Sequence, residues 1–377
     1  MKEIKPIAIY FPQFHAIPEN DKWWGKGFTD WTKVKEGMPL FEGHHQPRVP
    51  KDGYYDLSQK EIIKKQIEQA KAYGIYGFTI YHYWFDGKQL LETPKEIILN
   101  NKDLDIPFCL TWANETWARR WEGKDSEFLM EQTYEPTLEK WKEHFDYIKQ
   151  YLTDERAIRI DGKPVFQIYR PHLVTKVSEM LKYWRELARE EGIGELYFMA
   201  VKSFDFPDNK ILEDFDGVLL FNPHEAVNSK DYKGKYIIIE NMLRHCPEKW
   251  VEKMRSIRNK MRTSYVLHPY EKVFDVVLKR NFKYKNKDTF NMAFLEWDNT
   301  ARYKDKATVY HGCNPKIFKE YFTKLLKKES ERLSESKQYV YINAWNEWAE
   351  GTYLEPDTNS GYAYLEAVKQ AVEEVNS

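Results

Sequence analysis

Eight short apolar runs, separated by turns and amphipathic segments, place the strongest limit on how this chain can fold. Each run is almost continuously apolar, as expected for strands of a parallel sheet that is buried on both faces. Eight such strands alternating with helices predict an α/β protein, a single (β/α)8 TIM barrel over residues 1–377. A doubly wound open sheet is the alternative, but the chain has no GxGxxG or GxxxxGK nucleotide-binding stretch. The predicted strands are residues 6–13, 76–83, 106–113, 165–170, 196–202, 217–222, 291–297 and 339–345.

One long segment departs from this pattern. Residues 224–289 are polar and rich in lysine, with helical patterns of their own. We interpret them as an insertion between strands 6 and 7 that lies over one face of the barrel.

Charge and aromatic content narrow the class of partner. The 58 basic and 59 acidic residues nearly cancel, so bulk electrostatics favour neither nucleic acid nor an anionic membrane surface. Aromatic residues make up 16% of the chain, and many of the 13 Trp and 26 Tyr have polar neighbours. Such rings suit the faces of sugars, although they could equally fill the core of a large domain. The predicted partner is an oligosaccharide or polysaccharide, and the oligomeric state is left open.

The first residues and the cysteines bear on compartment and cofactors. The first apolar run ends at Pro12, too short for the apolar core of a secretory signal, and this predicts a cytoplasmic protein. No apolar run has the length of a membrane span. Cys109, Cys246 and Cys313 are scattered, without the spacing of a zinc site or a disulfide framework. The sequence therefore predicts no metal and no other cofactor.

Polar and aromatic residues gather just after the predicted strands. In a (β/α)8 barrel the loops at the carboxyl ends of the strands form the active site, so we expect a polar pocket there. Single residues have structural alternatives: a histidine after a strand is often a satisfied loop residue, and Arg170 could pair with a buried acid. The predicted substrate-binding residues are Tyr10, His15, Trp24, Asp30, Trp31, Tyr81, His82, Tyr83, Trp84, Trp112, Asn114, Glu115, Trp117, Arg170, Trp297, Asp298, Asn346 and Trp348.

The stretch INAWNEWAEGTYLEPD, residues 342–357, carries two carboxyl groups among tryptophans. In a helical turn Glu347 and Glu350 would be neighbours, about 5–6 Å apart at Cβ. Glycoside hydrolysis uses two carboxyl groups, an acid that protonates the leaving oxygen and a base or nucleophile. Two close carboxyl groups also raise each other's pKa, which keeps one protonated near neutral pH. A helix N-terminus could explain either acid but not the aromatic surroundings, so we predict both as catalytic.

On these residues the chain resembles the WbsX-type proteins, which are encoded among bacterial polysaccharide genes, sometimes described as glycosyltransferases, and related to glycoside hydrolase family 99. The resemblance covers nearly the whole chain and implies a (β/α)8 barrel. Its blocks are IAIYFPQFHAIPENDKWWGKGFTDWTKV, YHYWFDGKQLLETP, LTWANETWARRWEG, WDNTARY and NAWNEWAEGTYLEPD.

The resemblance also implies roles for the two acids. Family 99 contains endo-acting α-mannosidases in which a motif of the form NEWxEG carries both catalytic acids, and here that motif is residues 346–351. By this similarity Glu350 is the general acid and base at the glycosidic oxygen. Glu347 acts on the substrate's 2-hydroxyl, which attacks the anomeric carbon, and the configuration is retained without a covalent enzyme intermediate.

The chain departs from the family patterns at four positions. Ala349 stands where the mannosidases usually have His, which weakens the transfer of their substrate specificity. Asp30 stands where the WbsX-type pattern has Glu, and Ala301 and Tyr303 replace Pro and Arg. We expect these changes to alter the sugar subsite and to leave the chemistry intact.

The preferred prediction is a retaining glycoside hydrolase acting on a mannose-configured or related sugar in bacterial polysaccharide. Three alternatives are kept. Glu115 could pair with Glu347 as an ordinary acid and nucleophile. A glycosyltransferase of O-antigen or capsule synthesis could use a D-x-D metal motif, although the one from Asp103 to Asp105 leads into a buried strand and indicates a turn. The third is a non-catalytic carbohydrate-binding barrel.

Overall fold

The centre of the molecule is a nearly closed barrel of nine parallel strands surrounded by helices, so the predicted barrel is confirmed. The computed structural model describes residues 3–119, 124–233 and 264–377. Around the sheet the strands follow the order β7, β6, β5, β4, β3, β2, β1, β9, β8. In chain order they are β1 (Lys5–Tyr10), β2 (Gly77–Phe85), β3 (Phe108–Trp112), β4 (Lys163–Ile168), β5 (Tyr197–Lys202), β6 (Gly217–Leu220), β7 (Asp288–Phe290), β8 (Met292–Phe294) and β9 (Tyr339–Asn343).

One strand of the nine, β7, was not predicted: it lies just before the predicted seventh strand, residues 291–297, of which β8 is the part that joins the barrel sheet. β7 pairs with β6 and β8 pairs with β9, and Asn291 is the single residue between them. The carbonyl of Asn291 accepts a hydrogen bond from the backbone N–H of Tyr341 at 3.1 Å. Its side-chain Nδ2 donates to Glu329 Oε1 at 2.7 Å. This interrupted position joins the two ends of the sheet and accounts for nine strands in place of eight.

Amphipathic helices cover the outside of the barrel. In helix Leu138–Leu152, for example, Trp141, His144, Phe145 and Ile148 are buried, and this three-and-four spacing forms the stripe that faces the sheet. The helices are Pro18–Trp24, Asp30–Lys35, Lys60–Ala72, Thr93–Asn100, Leu138–Leu152, Val177–Glu190, His224–Asn228, Lys230–Lys233, Tyr270–Lys279, Thr300–Tyr303, Pro315–Arg332 and Ala363–Asn376. Short 3-10 turns lie at Pro171–Leu173, Asn209–Leu212, Lys304–Lys306, Glu335–Lys337 and Trp348–Glu350.

Small sheets lie next to the barrel, in the connections between its strands and helices. Among the described residues, four of them are hairpins or strand extensions at the loops, and one three-stranded sheet joins the segments that flank β8. The three-stranded sheet is Val266–Pro269, Thr308–His311 and Trp297–Asp298, and the remaining short strands are Lys88–Leu90, Trp117–Arg119, Lys124–Met130, Arg159–Ile160, Asn346–Glu347 and Thr352–Tyr353.

The predicted insertion at 224–289 lies partly outside the described residues, which omit 234–263. Of its described part, helix Tyr270–Lys279 buries Val273, Phe274 and Val277 in the main core. This helix therefore serves as the connection that leads back to β7, and the insertion itself stays a prediction. In the three described stretches of the chain, no helix combines the length and the apolar composition that crossing a bilayer requires.

Successive side chains of each strand point to opposite sides of the sheet. Inside the barrel, Thr79, Thr111, Gln167 and Tyr341 form a chain of hydrogen bonds of 2.6 to 3.0 Å across four strands. On the outside, alternate residues such as Phe78 belong to the core between the sheet and the helices. This alternation decides which of the predicted site residues can reach the pocket at the carboxyl ends of the strands.

Candidate active site

One buried arginine holds three carboxyl groups together at the carboxyl end of the barrel. Arg302 lies in helix Thr300–Tyr303, just after β8, and its Nη1 donates to Glu350 Oε1 at 2.7 Å. Its Nη2 donates to Asp30 Oδ2 at 2.8 Å and to Glu347 Oε1 at 3.2 Å. The side chain of Glu350 is 23% exposed, whereas that of Glu347 is 9% exposed and that of Asp30 is fully buried. Arg302 lies in the block WDNTARY but was not among the predicted site residues.

The chain reaches the two glutamates through a tight turn after β9. Strand Asn346–Glu347 pairs with Thr352–Tyr353, and the 3-10 turn Trp348–Glu350 closes the hairpin, as the predicted helical turn required. Gly351 adopts φ +61°, and a Cβ at this position would lie 2.9 Å from Asp298. Only glycine fits both the left-handed backbone and the close approach. The turn therefore brings Glu347 and Glu350 onto the same guanidinium.

Asn346 fixes this turn to the first strand. Its Oδ1 accepts from the backbone N–H of Phe11 at 2.7 Å, and its Nδ2 donates to the carbonyl of Phe11 at 2.9 Å. Asn346 is fully buried, and both ends of its amide are used in this way. The predicted substrate-binding residue Asn346 thus acts as a brace between β1 and the turn that carries the acids.

A buried carboxyl group supports the same turn from behind. Glu355 Oε2 accepts from Trp348 Nε1 at 2.7 Å and from the Tyr55 hydroxyl at 2.6 Å, and Oε1 accepts from Gln66 Nε2 at 2.7 Å. Burial raises the pKa of Glu355 to about 7, against the lowering effect of these donors. The Trp348 ring stacks on Tyr353 with 3.7 Å between ring centroids. Trp348 therefore faces its supporting residues, and Glu355 was not predicted because its partners Tyr55 and Gln66 lie far away in the chain.

Asp298 has a similar bracing role. Its Oδ2 accepts from Gln46 and lies 2.7 Å from His44 Nε2, and its Oδ1 accepts from the backbone N–H of Thr300 at 3.0 Å. With 1% of its surface exposed, Asp298 connects the segment around residue 45 to the start of the helix that carries Arg302. His44 and Gln46 were not predicted, because nothing in their local sequence distinguishes them from loop residues.

Burial controls the protonation of the two glutamates. It raises the pKa of Glu347 well above its ordinary value; Arg302 opposes this shift, while Glu350 and Asp30 add to it. Burial likewise raises the pKa of Glu350, again against Arg302. A carboxyl group with a raised pKa can stay protonated near neutral pH, as a general acid must.

A second ion pair lies near the carboxyl cluster, just after β3 and β4. Arg170 Nε donates to Glu115 Oε1 at 3.0 Å, and the guanidinium lies over the Tyr169 ring at 4.1 Å. Asn114 joins the loops that carry this pair, because its side chain bonds both the N–H and the carbonyl of Arg170, at 2.7 and 2.9 Å. The negative charge of Glu115 also raises the pKa of Glu350, and the space between the two ion pairs is where we expect a substrate.

Aromatic rings line the sides of this space. Tyr81 packs edge-on against Phe11 at 6.1 Å and lies near Tyr169, and the charges of Glu347 and Glu350 contribute to raising its pKa. Tyr83 accepts a hydrogen bond from Gln13 at 3.0 Å. Its ring meets the half-buried Trp117 at 5.2 Å.

Four predicted site residues point the other way, towards the helices. Tyr10 donates to Gln66 in helix Lys60–Ala72 at 2.6 Å. His82 Nε2 lies 2.9 Å from His144 Nε2 in helix Leu138–Leu152. The rings of Trp84 and Trp112 lie 4.7 Å from the same His144. The alternation of side chains along β1, β2 and β3 directs these four into the outer core and away from the pocket.

The remaining predicted residues lie in the segments that follow β1 and β8. His15 is buried, its Nδ1 lies 2.9 Å from the carbonyl of Pro12, and burial lowers its pKa. Trp31 is buried and donates through Nε1 to the carbonyl of Tyr55 at 2.7 Å. Trp297 is also buried, with its ring edge-on to His224 at 4.6 Å. Trp24 is half-buried and stacks on Phe28 at 5.6 Å.

A separate cavity of about 710 Å³ lies on the other side of helix Asp30–Lys35, lined by Trp31, Tyr54 and Tyr55 among others. None of the three carboxyl groups lines it, so its size does not mark the chemistry. Across residues 3–119, 124–233 and 264–377, no group of three or more His, Cys, Asp or Glu side chains is arranged to hold a metal ion.

The fold is that of the barrel glycoside hydrolases, with paired carboxyl groups at the carboxyl end of the strands. The chain belongs to the family described as glycosyltransferase WbsX, whose model matches residues 6–368. Among curated proteins it is 34% identical, over 367 residues and 97% of its length, to the uncharacterized protein WxcX from two strains of Xanthomonas campestris pv. campestris. The chain spans about half, 49%, of the length of these relatives.

Two solved structures share the fold at low identity. A glycoside hydrolase-like protein matches with a TM-score of 0.58 and 13% identity, over 99% of this chain and 94% of that protein. The family 99 endo-α-mannosidase from Bacteroides thetaiotaomicron matches with a TM-score of 0.52 and 14% identity, over 98% of this chain and 97% of the mannosidase. These likenesses agree with the family relationship that the motifs implied.

Proposed function

We propose that this chain is a retaining glycoside hydrolase that cleaves a mannose-configured or related sugar linkage in bacterial polysaccharide, with Glu347 and Glu350 as the working pair. The observation that carries the proposal is their joint attachment to Arg302 at the carboxyl end of the barrel. Both carboxyl groups have raised pKa values, and Glu350 is partly open to solvent. Two carboxyl groups with different environments are what acid and base roles at a glycosidic bond require.

The roles follow the family 99 resemblance. Glu350 gives its proton to the glycosidic oxygen as the bond from the anomeric carbon to that oxygen breaks. Glu347 takes the proton of the 2-hydroxyl, whose oxygen forms a new bond to the anomeric carbon. Water then attacks the same carbon and gives a proton to Glu350, while the 2-oxygen recovers its proton from Glu347. Two inversions at one carbon give net retention.

The sugar would lie between the two ion pairs. Tyr81, Tyr83 and Trp117 offer ring faces and hydroxyl groups, and such surfaces suit sugar rings. Glu115 and Arg170 offer charged hydrogen-bonding groups to the sugar hydroxyls. We propose these five residues as the contacts of the reacting sugar and its neighbours.

Glycosyl transfer is the second candidate, and the description of the family favours it. A nucleotide-sugar donor brings a diphosphate, which needs cationic partners. The two pocket arginines, Arg170 and Arg302, are already ion-paired to carboxylates. This pairing favours a neutral sugar, and transfer to a sugar hydroxyl in place of water would need no change in the carboxyl pair.

The test compares the wild-type protein with Glu350→Gln on the surface polysaccharide of the producing organism, with released sugars followed by mass spectrometry. Loss of the acid should slow release by about 10²–10⁴-fold. The matched control is Glu366→Gln, the same chemical change on an exposed helix position, which should release sugars at the wild-type rate. Release by Glu350→Gln at the wild-type rate would contradict the assignment.

Two further measurements separate the alternatives. Trapping of a covalent sugar on Glu115 or Glu347 by a fluorosugar would support the acid and nucleophile pair in place of 2-hydroxyl participation. Calorimetry with nucleoside diphosphate sugars tests transfer, since tight binding would favour it over hydrolysis. Binding of the polysaccharide without release or transfer by the wild type would indicate a non-catalytic barrel.

A further inference from the structure

The three carboxyl groups around Arg302 outnumber the positive charge that they share. If Asp30, Glu347 and Glu350 were all ionised, this buried cluster would hold two negative charges in excess. An unpaired buried charge is costly, and a carboxyl group avoids that cost by keeping its proton. The other arginine of the pocket, Arg170, is paired with Glu115 and so does not neutralise the cluster. At least one of the three groups is therefore expected to be protonated.

The hydrogen bonds from Arg302 are shared unequally. Nη1 binds Glu350 at 2.7 Å, whereas Nη2 is divided between Asp30 at 2.8 Å and Glu347 at 3.2 Å. Glu347 thus has the longest of the three contacts, and its side chain is less exposed than that of Glu350. Of the two glutamates, it has the weaker stabilisation of its charged form from both the guanidinium and water.

From this geometry we propose that Asp30 keeps Glu347 protonated in the substrate-free protein, because Asp30 takes the shorter hydrogen bond from Arg302 Nη2, and that Glu350 is the ionised member of the pair. Asp30 then acts as a positioning residue for the proton. The proposal deepens the proposed function, since it concerns the same carboxyl pair, but it rests on the resting geometry alone.

The other groups that face the pair do not reverse this assignment. Tyr81, Tyr83 and Tyr169 stay neutral, because burial raises the pKa of each phenol. Glu115 raises the pKa of Glu350, but it is held by Arg170 at 3.0 Å, which offsets part of its charge. Burial raises the pKa of Glu347, in the direction that the geometry requires, even though the backbone N–H of Glu350 opposes the shift.

This distribution has a consequence for the catalytic cycle. The proposed roles require a proton on Glu350 when the glycosidic oxygen departs, and the contact from Arg302 Nη1 disfavours that proton. Glu347 must also be ionised before it can take the proton of the 2-hydroxyl. Binding of the sugar must therefore weaken the contact between Arg302 and Glu350 and move the resting proton from Glu347 to Glu350 before the glycosidic bond breaks. Asp30 accepts a hydrogen bond from Nη2 of Arg302, so it can keep the guanidinium in place during that change.

The direct test is carbon-13 NMR of the purified protein labelled at the glutamate carboxyl carbons, titrated from acid to alkaline pH. Spectra of Glu347→Gln and Glu350→Gln assign the two signals by their absence. Glu347 should titrate at the higher pH of the two, and Asp30→Asn should lower its midpoint by one pH unit or more, because Nη2 is then available to Glu347. A higher midpoint for Glu350, or no change in Asp30→Asn, would overturn the proposal.

A stability comparison keeps the proposal testable if Asp30→Asn fails to fold. A glutamine has nearly the shape of a protonated glutamate, so Glu347→Gln should leave the melting temperature at pH 7 near that of the wild type. Glu350→Gln removes a charged hydrogen bond and should lower it by roughly 2–6 °C. The reverse order would place the proton on Glu350. Neither measurement needs a substrate, so a failure of the hydrolysis test would leave both results interpretable.

Discussion

The two sides of strand β2 (Gly77–Phe85) show how differently neighbouring residues are used. Tyr81 and Tyr83 point into the barrel and face the carboxyl pair, whereas His82 and Trp84 point outwards to helix Leu138–Leu152. Both sides are rich in aromatic rings and polar atoms, so composition does not separate them. The lesson is that the direction of a side chain, set by the pleat of the strand, decides whether a residue after or within a strand belongs to the site.

The outward side is a packed cluster, and within the described parts of the chain neither of its histidines, His82 or His144, forms an ion pair. Trp84 and His144 are parallel, with an interplanar angle of 4°, and Trp112 Nε1 donates to the carbonyl of Trp84 at 3.1 Å. Burial holds the pKa of His82 and of His144 well below the ordinary value, so both are neutral. The inward side has the opposite character, because its tyrosines lie near the charges of Glu347, Glu350 and Arg302.

The largest expected effect that separates the two sides comes from Trp84→Ala. Removing this buried ring should lower the free energy of unfolding by about 3–5 kcal/mol, as expected for large cavities in a core. The folded fraction should keep its rate of sugar release. Urea unfolding followed by tryptophan fluorescence and circular dichroism measures the change, and Trp24→Ala, at a half-buried position, is the control. If fully folded Trp84→Ala released sugars more slowly than the wild type, the outward side would also contribute to the site, and the distinction between the two sides would be wrong.

The pH dependence of stability gives a smaller effect, again on the outward side. A histidine whose pKa is lowered in the folded state binds fewer protons than the unfolded chain below about pH 6.5, so stability is lost as the pH falls through that range. Each such histidine contributes about 1.4 kcal/mol per pH unit there. His144→Phe, which fits the surrounding rings, should remove one such contribution.

The measurement is the difference in unfolding free energy between the wild type and His144→Phe from pH 6.5 to pH 5. Taking a difference cancels the opposite trend of Glu355, whose raised pKa makes stability fall as the pH rises towards about 7. Lys95, which faces the histidines and whose pKa is lowered to about 7, is charged in both states over this range. A difference that stays constant with pH would show that the histidines are not buried as neutral groups.

The smallest expected effect is that of Tyr83→Phe on the inward side. The change removes only the hydroxyl that accepts from Gln13, so the free energy of unfolding should fall by about 1 kcal/mol or less. The rate of sugar release should fall by roughly tenfold if that hydroxyl contacts the sugar, which corresponds to about 1.4 kcal/mol at the transition state. Tyr183→Phe, on an outer helix, is the matched control and should leave the rate unchanged.

The fold was largely predictable, because buried parallel strands and amphipathic helices leave strong patterns. The exception is β7 (Asp288–Phe290), which lies at the end of the lysine-rich segment 224–289 and is separated from β8 by the break at Asn291. The break depends on which neighbours the strand pairs with, and a single sequence does not contain that information. Near-continuous apolarity also hides the pleat, so Tyr81 and His82 could not be assigned to different sides in advance.

The catalytic motif was predictable and its supporting residues were not. Glu347 and Glu350 are close in sequence to each other, whereas Asp30 reaches them only through the fold, and Glu355 binds the same turn together with Tyr55 and Gln66 from distant parts of the chain. His144 did leave a signal, since it falls on the buried stripe of its helix, where a polar residue needs a partner. The sequence alone does not show which residue the histidine would bond, because His82 is 62 residues away.

The split position at Asn291 makes one side of the barrel the place where the ring of strands can open. Everywhere else the sheet continues from strand to strand, but there closure depends on two three-residue strands and the bonds of one asparagine. Short, interrupted pairing is expected to open at a lower free energy than continuous pairing. Arg302 follows this break between β7 and β8 along the chain. A local opening at the break would shift the guanidinium relative to Glu347 and Glu350, so the rigidity of this part of the sheet determines how firmly the two acids are held.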